Sequence, residues 1–476
     1  MDHYRRLNKR VTRRDLLRLG AGVIGLAAVG SYSRAAAPAT PTVRPPEPTK
    51  APPATAPTVV STPGDTFNWK RFKGQKIEVQ LLKSPRGDLL QQHQKEFEEL
   101  TGVTVGSEQI PEQQLRQKQA IEFTSGSTTF DVTQESWHVQ KRLFGKGRWL
   151  LDVRGYLKDP TMTSPDYDWD DFSKAGLGYA TQADGRIDTL PYNIDYWILY
   201  WNQGLFQAKG VQFPKTLDEM VEAAKQLNDP GKGIFGFVAR GLKNANTPVW
   251  YSMLLGWDVD GIDDKGEMHT DGPEAIAAAE IYKRLLKDYA PPGVSGFNWG
   301  ECQTTFSLGR AAMWFDGIGF SPPLEDPRKS KVVGKVGYGV PPAGPKKQHS
   351  GMFGVGMGVS AFSKKKEPAY FYCQWATNKA NQARMLAAGA GSPCRNSAYK
   401  DPQALAKPKV SKEWVDCLLA SGKIGRPGLP VIIPVTEFRD VFGIALTNMI
   451  EGADPAAELK RATAEFRPVL EKSERS

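Results

Sequence analysis

Nine side chains in this chain of 476 residues have the chemistry needed to hold a hydroxyl-rich small molecule. Glu135 and Trp137 lie in Thr133–His138, a loop expected directly after a strand ending at Val132. Tyr192 and Asp195 precede the uninterrupted apolar run Trp197–Trp201, while Asn246 and Trp250 lie in Asn244–Trp257. Asp316 ends the run that starts at Ala311, Phe353 sits in the glycine-rich Ser350–Ser360, and Arg395 follows Gly391-Ser392-Pro393-Cys394. An aromatic ring stacks on the C–H face of a sugar, a carboxylate accepts paired hydroxyl hydrogens, and a guanidinium donates in parallel to adjacent oxygens. Structural roles compete at several of these positions. Trp137 also suits a partly buried surface anchor, Glu135 a solvated loop charge, Trp250 core packing, and Arg395 a set of backbone carbonyls. His138 reads as structural.

Other chemistries find less support. Glycoside hydrolysis needs two carboxylates at a fixed separation; Glu135 and Asp316 can be cast so, but nothing in their context singles them out, and no catalytic residue is assigned. The five histidines include no H-E-x-x-H or similar spacing, so no metal or other cofactor is expected. The glycine-rich run lacks the Gly-Lys-Ser/Thr ending of a phosphate loop. A net charge of +10 invites a nucleic-acid reading, yet residues 1–73 hold 13 Lys+Arg against 4 Asp+Glu, and the remaining 403 residues are balanced at 49 against 48. A nucleic-acid binder keeps its basic patch on the folded domain, so no nucleic-acid partner is expected.

The elements that position these residues read as α/β. Gly74–Leu82 predicts a first strand, Asp88 a cap for a helix whose Leu89, Leu90, His93, Phe97 and Leu100 share a face, and Gly102 its end. Gly102–Val105 predicts the next strand, and strand–helix–strand order points to a parallel, doubly wound sheet. Further on, a short strand is expected after Gly185 and a second, buried on both faces, at Trp197–Trp201. Thr216 and Glu219 have capping-box spacing, ahead of a face formed by Leu217, Met220, Val221, Ala224 and Leu227. Tyr192, Asn193 and Asp195 fall at the crossing between the two strands, the floor of a cleft.

The N-terminus carries different signals. Thr12-Arg13-Arg14-Asp15-Leu16-Leu17 resembles a twin-arginine export motif, and Leu19–Ser33 follows with no acidic or basic residue. Fifteen such residues suit a signal-peptide core better than a permanent span, which gives an expected leader over 1–39 with Ala37-Pro38-Ala39 as its cleavage region. Nine of the 26 residues from Pro38 to Pro63 are proline, so residues 40–65 read as an extended tether. An uncleaved leader would hold the chain at the membrane. Cys302, Cys373, Cys394 and Cys417 lack C-x-x-C spacing and allow three pairings in an oxidising compartment, Cys394 with Cys417 among them.

Several of these segments resemble, in order, the family 1 extracellular solute-binding proteins of ABC importers, the class that includes maltose-binding protein. Leu199-Tyr200-Trp201-Asn202, Leu205-Phe206 and Pro214-Lys215-Thr216 through Glu219 follow the family's central signature, with Leu217 where a Trp is usual. Supporting segments are Phe97–Val105, Phe130-Asp131-Val132, Phe306–Gly317, Gly337–Gly344, Ser350–Ser360 and Gly391–Arg395. The resemblance spans about residues 74–470. It implies a periplasmic-binding-protein fold of two lobes, each a mainly parallel sheet flanked by helices, joined by a multi-segment hinge. Lobe 1 is expected over 74–196 and 341–382, lobe 2 over 197–340 and 383–476. It further implies an exported, monomeric receptor, not an enzyme, that passes a solute to a membrane permease. A sugar or oligosaccharide is the expected solute, since 12 Trp and 15 Tyr supply stacking surfaces.

Overall fold

The computed structural model describes residues 66–406 and 411–475. The leader expected over 1–39 and the tether expected over 40–65 lie outside the described residues. Strands β1 (Lys76–Leu82), β2 (Thr104–Ile110) and β3 (Val132–Ser136) are connected by helices α1 (Pro85–Thr101) and α2 (Glu112–Ser125), and β1 pairs in parallel with both β2 and β3. Helix α1 starts one turn before the expected cap. Ser84 Oγ accepts from Gly87 N, Pro85 occupies the first turn, and Gly102 ends the helix at φ 70°. Asp88 lies inside that first turn, where its charge complements the helix dipole.

Strand β4 (Leu190–Asn202) organises the molecule. It is one continuous strand of 13 residues rather than two runs with a break between them. From Leu190 to Tyr196 it lies antiparallel to β8 (Ser350–Val359); from Trp197 onward it lies antiparallel to β6 (Ala311–Gly317) and β7 (Val336–Gly339). The first sheet therefore runs β2-β1-β3-β8-β4, and the second runs β7-β4-β6-β5, with β5 (Phe235–Val238) parallel to β6. The sheets are mixed, which corrects the mainly parallel expectation. Strands β8 and β4 pass between lobes and pair antiparallel with their neighbours, so no crossover helix is required there. The ladder is irregular between Pro191 and Asn193, where proline has no N–H to give. Gln382 Nε2 donates to the Tyr192 carbonyl at 2.7 Å there.

Two further expectations shift by small steps. The Thr216 hydroxyl accepts from Glu219 N at 3.2 Å as a cap should, but Glu219 reaches back to Lys215 N at 2.7 Å, one residue before the cap. Its helix, Leu217–Leu227, buries the whole expected face. Residue 382, the expected end of the return to lobe 1, lies inside a helix. The helix Lys379–Ala387 ends after it, and β9 (Ser392–Pro393) pairs with the lobe 1 half of β4. Short β10 (Gly425–Pro427) pairs with β8, and the helices Val435–Ile450 and Pro455–Arg475 pack together on the Pro273–Asp288 helix of lobe 2. All four cysteines are buried and unpaired, so the Cys394–Cys417 bridge is not made.

The largest correction concerns Thr133–His138, expected as a loop at a sheet tip. Strand β3 continues to Ser136, because β8 pairs with it along Val132–Ser136, and helix α3 (Trp137–Gly147) begins immediately. The Trp137 ring lies across β8, which is possible only because that strand offers glycines. A Cβ at Gly354 would meet the Trp137 ring at 2.5 Å, and one at Gly356 would meet its Nε1 at 2.7 Å.

Candidate functional site in the hinge cleft

The crossing point of β4 floors a cavity of about 60 Å³ walled by both lobes. Lobe 1 contributes Arg86 from the first turn of α1, Glu112 from the start of α2, His138 from α3 and Phe353 from β8. Lobe 2 contributes Arg240, just beyond β5, with Trp299, Phe320 and Arg439. Asn193, Asp195 and Trp197 rise from β4 itself.

Two carboxylates fix the floor. Asp195 Oδ2 accepts from Arg86 Nη1 at 3.0 Å and its Oδ1 accepts from Gly319 N at 3.0 Å, so one hinge residue holds both lobes. Asp316, sealed from solvent, takes a two-point bond from Arg240, Nε to Oδ2 at 2.9 Å and Nη2 to Oδ1 at 2.6 Å, and a third bond from Gly317 N. Burial raises the Asp316 carboxyl above its ordinary value even against the pull of Arg240. The Arg240 guanidinium in turn lies 5.2 Å from the Trp197 ring and 5.6 Å from the Phe320 ring, an arrangement that suits a planar cation.

A second group of charges spans the cleft mouth. Glu112 Oε1 accepts from Arg116 Nη2 at 2.5 Å, and Glu112 Oε2 lies 3.8 Å from Arg240 Nη1 on the other lobe. Burial alone would raise the Glu112 carboxyl, but Arg116, Arg240 and Arg439 hold it below its usual value. His138 Nε2 lies 3.4 Å from Arg116 Nη2 and accepts from it. Burial, and then Arg116, keep the imidazole well below its ordinary pKa and neutral at pH 7.

The apolar walls and one amide complete the site. Trp197 and Phe353 are in tilted contact at 5.2 Å, and Trp299 stacks on Phe320 at 4.8 Å. Asn193 is fully buried, and both its side-chain Oδ1 and Nδ2 lack a partner among the described residues. A buried amide carries a large desolvation cost unless its donor and acceptor are met.

Of the nine side chains singled out from the sequence, Asp195 and Phe353 line this cavity. Asp316 stands directly behind it through Arg240. Tyr192 is buried one layer further back, its hydroxyl donating to the Arg86 carbonyl at 3.1 Å. The other five lie elsewhere. Glu135 is interior to lobe 1 with both oxygens unpartnered. Trp137 stacks on Tyr179 at 5.3 Å and donates to Thr189 Oγ1. Asn246 donates to the carbonyls of Gly241 and Gly443, and Trp250 stacks on Phe442 at 5.6 Å while donating to the Ala275 carbonyl. Arg395 donates to the carbonyls of Thr377 and Asp168.

The sequence reading missed Arg86, Glu112, Arg240, Trp299 and Arg439, and it placed His138 in a structural role although the ring lines the cavity. Two of these left a trace. Arg86 puts a cation in the first turn of a helix, against the dipole. Arg439 interrupts the apolar stripe of Val435, Phe438, Phe442 and Leu446.

Comparison with known proteins is consistent with this geometry. The chain is 26% identical over 349 residues to a probable amino-acid ABC transporter periplasmic-binding protein of Sinorhizobium fredii, covering 71% of this chain and 76% of that protein. It is 23% identical over 418 residues to the erythritol/L-threitol-binding protein of Mycolicibacterium smegmatis, covering 83% and 86%. A solved ABC transporter solute-binding protein of Agrobacterium radiobacter, in complex with ribitol, superposes with a TM-score of 0.77 at 27% identity, covering 83% of this chain and 99% of that one. Residues 83–383, well over half of the sequence, match the bacterial extracellular solute-binding protein family, and the chain belongs to that family.

Proposed function

We propose that the protein is an exported, monomeric receptor of an ABC importer that closes its lobes on a short polyol or single-ring sugar and presents it to a membrane permease. The observation that carries this reading is the unpartnered, buried Asn193 amide in the lining of a cavity that Trp197, Trp299, Phe320 and Phe353 also line. An amide with a free donor and a free acceptor suits a hydroxyl, which does both, and the rings suit the adjoining C–H faces. A cavity of about 60 Å³ is room for only a few waters at about 10–15 Å³ each, which favours a short chain or one ring over an oligosaccharide. The relatives named for erythritol/L-threitol and crystallised with ribitol point the same way. In this reading residues 1–39 serve as an export leader and 40–65 as a spacer. Asp195, bonded to both lobes, is the residue through which closure is coupled to the hinge.

The hydrolase alternative loses the two carboxylates first cast for it, because Glu135 and Asp316 are both fully buried outside the cavity lining. Calorimetric titration of the full chain with erythritol, ribitol, mannitol, glucose and maltose tests the proposal. A short polyol or glucose should bind, and Asn193→Ala should weaken it by about tenfold or more. Binding of maltose alone would refute the size argument, and well-folded protein that binds none of the five would refute the solute class.

A further inference from the structure

The cavity carries more positive charge than its carboxylates can answer. Lys83, Arg86, Arg240 and Arg439 line it, against Glu112 and Asp195. Arg86 is committed to Asp195, and Arg240 to Asp316 behind the wall. Arg116, just beyond the lining, gives its Nη2 to Glu112, while its Nε and Nη1 are buried with no protein partner. Arg439 is 3% exposed, and among the described residues its side chain makes one hydrogen bond, Nε to the Asn244 carbonyl at 2.9 Å. Among the described residues no carboxylate lies within ion-pair distance of it. Its neighbour Asp440 turns outward, accepting from Asn244 Nδ2 and lying 3.7 Å from Lys243 Nζ.

Resting on the receptor reading above, we propose that the solute carries an oxyanion, a carboxylate or a phosphoryl group, on a short polyhydroxylated skeleton, and that Arg439 receives it. A hydroxyl could accept from Arg439 but would bring no countercharge, and a buried cation without one is costly. The cost is visible in Arg439 itself: burial, with Arg116 adding to it, pushes its pKa down to about 9. The arrangement also couples charge to closure. Arg116 and Glu112 are bonded within α2 of lobe 1, whereas Arg240 and Arg439 belong to lobe 2, so closing the lobes adds two guanidinium groups to that pair and leaves three around the single carboxylate of Glu112. An anion at that meeting point contributes affinity only in the closed state, which is what shifts a two-state receptor toward closure.

Two matched pairs test this by calorimetric titration of the full chain: ribitol against ribitol 5-phosphate, and glucose against glucuronate. The anion of at least one pair should bind about ten- to hundredfold more tightly than its neutral partner, and which pair responds separates phosphoryl from carboxylate. Arg439→Met should weaken the anion far more than its neutral partner and so erase that advantage, and Arg439→Lys should keep part of it. Neutral partners binding at least as tightly in both pairs, or an advantage that survives Arg439→Met, would overturn the inference. If the neutral members bind and the anions do not, the receptor reading stands and this inference fails; if none of the four binds, both fail.

Discussion

Arg395 and Arg439 are both hidden from bulk water, 0% and 3% exposed, yet their surroundings differ group by group. Arg395 donates to two backbone carbonyls, lies 3.4 Å from Asp171, and sits 4.7 and 4.0 Å from the rings of Tyr167 and Phe172. Arg439 has one carbonyl and faces a cavity shared with other cations. The first guanidinium is tied by the fold to two carbonyls and a carboxylate, although its Nη2 has no partner among the described residues. The second is left incomplete by the fold. Burial alone does not distinguish a structural charge from a binding charge; the inventory of its partners does.

The comparison can be broken most directly at Arg395. Arg395→Met should lower the free energy of unfolding by about 3–5 kcal/mol, because Asp171 and two carbonyls lose their cation. Folded variant should bind solute as wild type does; a large affinity loss at unchanged urea midpoint would reverse the assignment. Asp316→Asn comes next, at about 2–3 kcal/mol, since the buried Arg240 would face a neutral partner. This variant should also lose affinity in titration, because Arg240 is held against Trp197 and Phe320 by that bond. Arg439→Met should change stability by no more than about 1 kcal/mol and in the stabilising direction, since it exchanges an incompletely paired charge for an apolar chain. A clear loss in denaturant unfolding would show that the fold depends on it.

The smallest effect concerns a carboxylate counterpart of the same contrast. Asp195 and Asp316 have arginine partners, whereas Glu135 has none and sits near Asp188. Burial first, and then Asp188, hold the Glu135 carboxyl well above its usual value. The folded chain keeps a proton that the unfolded chain releases above about pH 4.5, so stability falls as pH rises from there through the folded value. Glu135→Gln should therefore raise the melting temperature at about pH 8 and leave it unchanged at about pH 4. Equal shifts at both pH values would mean that packing, not titration, sets the effect.

Much of the scaffold was legible because local rules enforce it. The apolar run at Trp197–Trp201, the Thr216 cap and the Gly102 stop each act within a few residues of themselves, and each lies where the pattern put it. The site was less legible. Asp195 and Phe353 could be found because they sit on the crossing strand and on its glycine-rich partner. Trp137 and Trp250 were misleading because an aromatic beside a motif looks the same whether it fills a glycine groove or faces a ligand. Arg240, Trp299 and Arg439 lie on segments separated by tens of residues, and nothing local marks their meeting.

By itself, the sequence determined the elements, their order, the concentration of basic charge in residues 1–73 and the family, since periodicity, caps and motif order are properties of neighbouring residues. Only the tertiary structure decided which charges are answered. Whether a buried arginine has a carboxylate partner, as Arg395 has in Asp171, or only a carbonyl, as Arg439 has among the described residues, depends on groups brought from distant segments. Electrostatic balance is set by distance in space and by exclusion of water, and neither quantity is written along the chain.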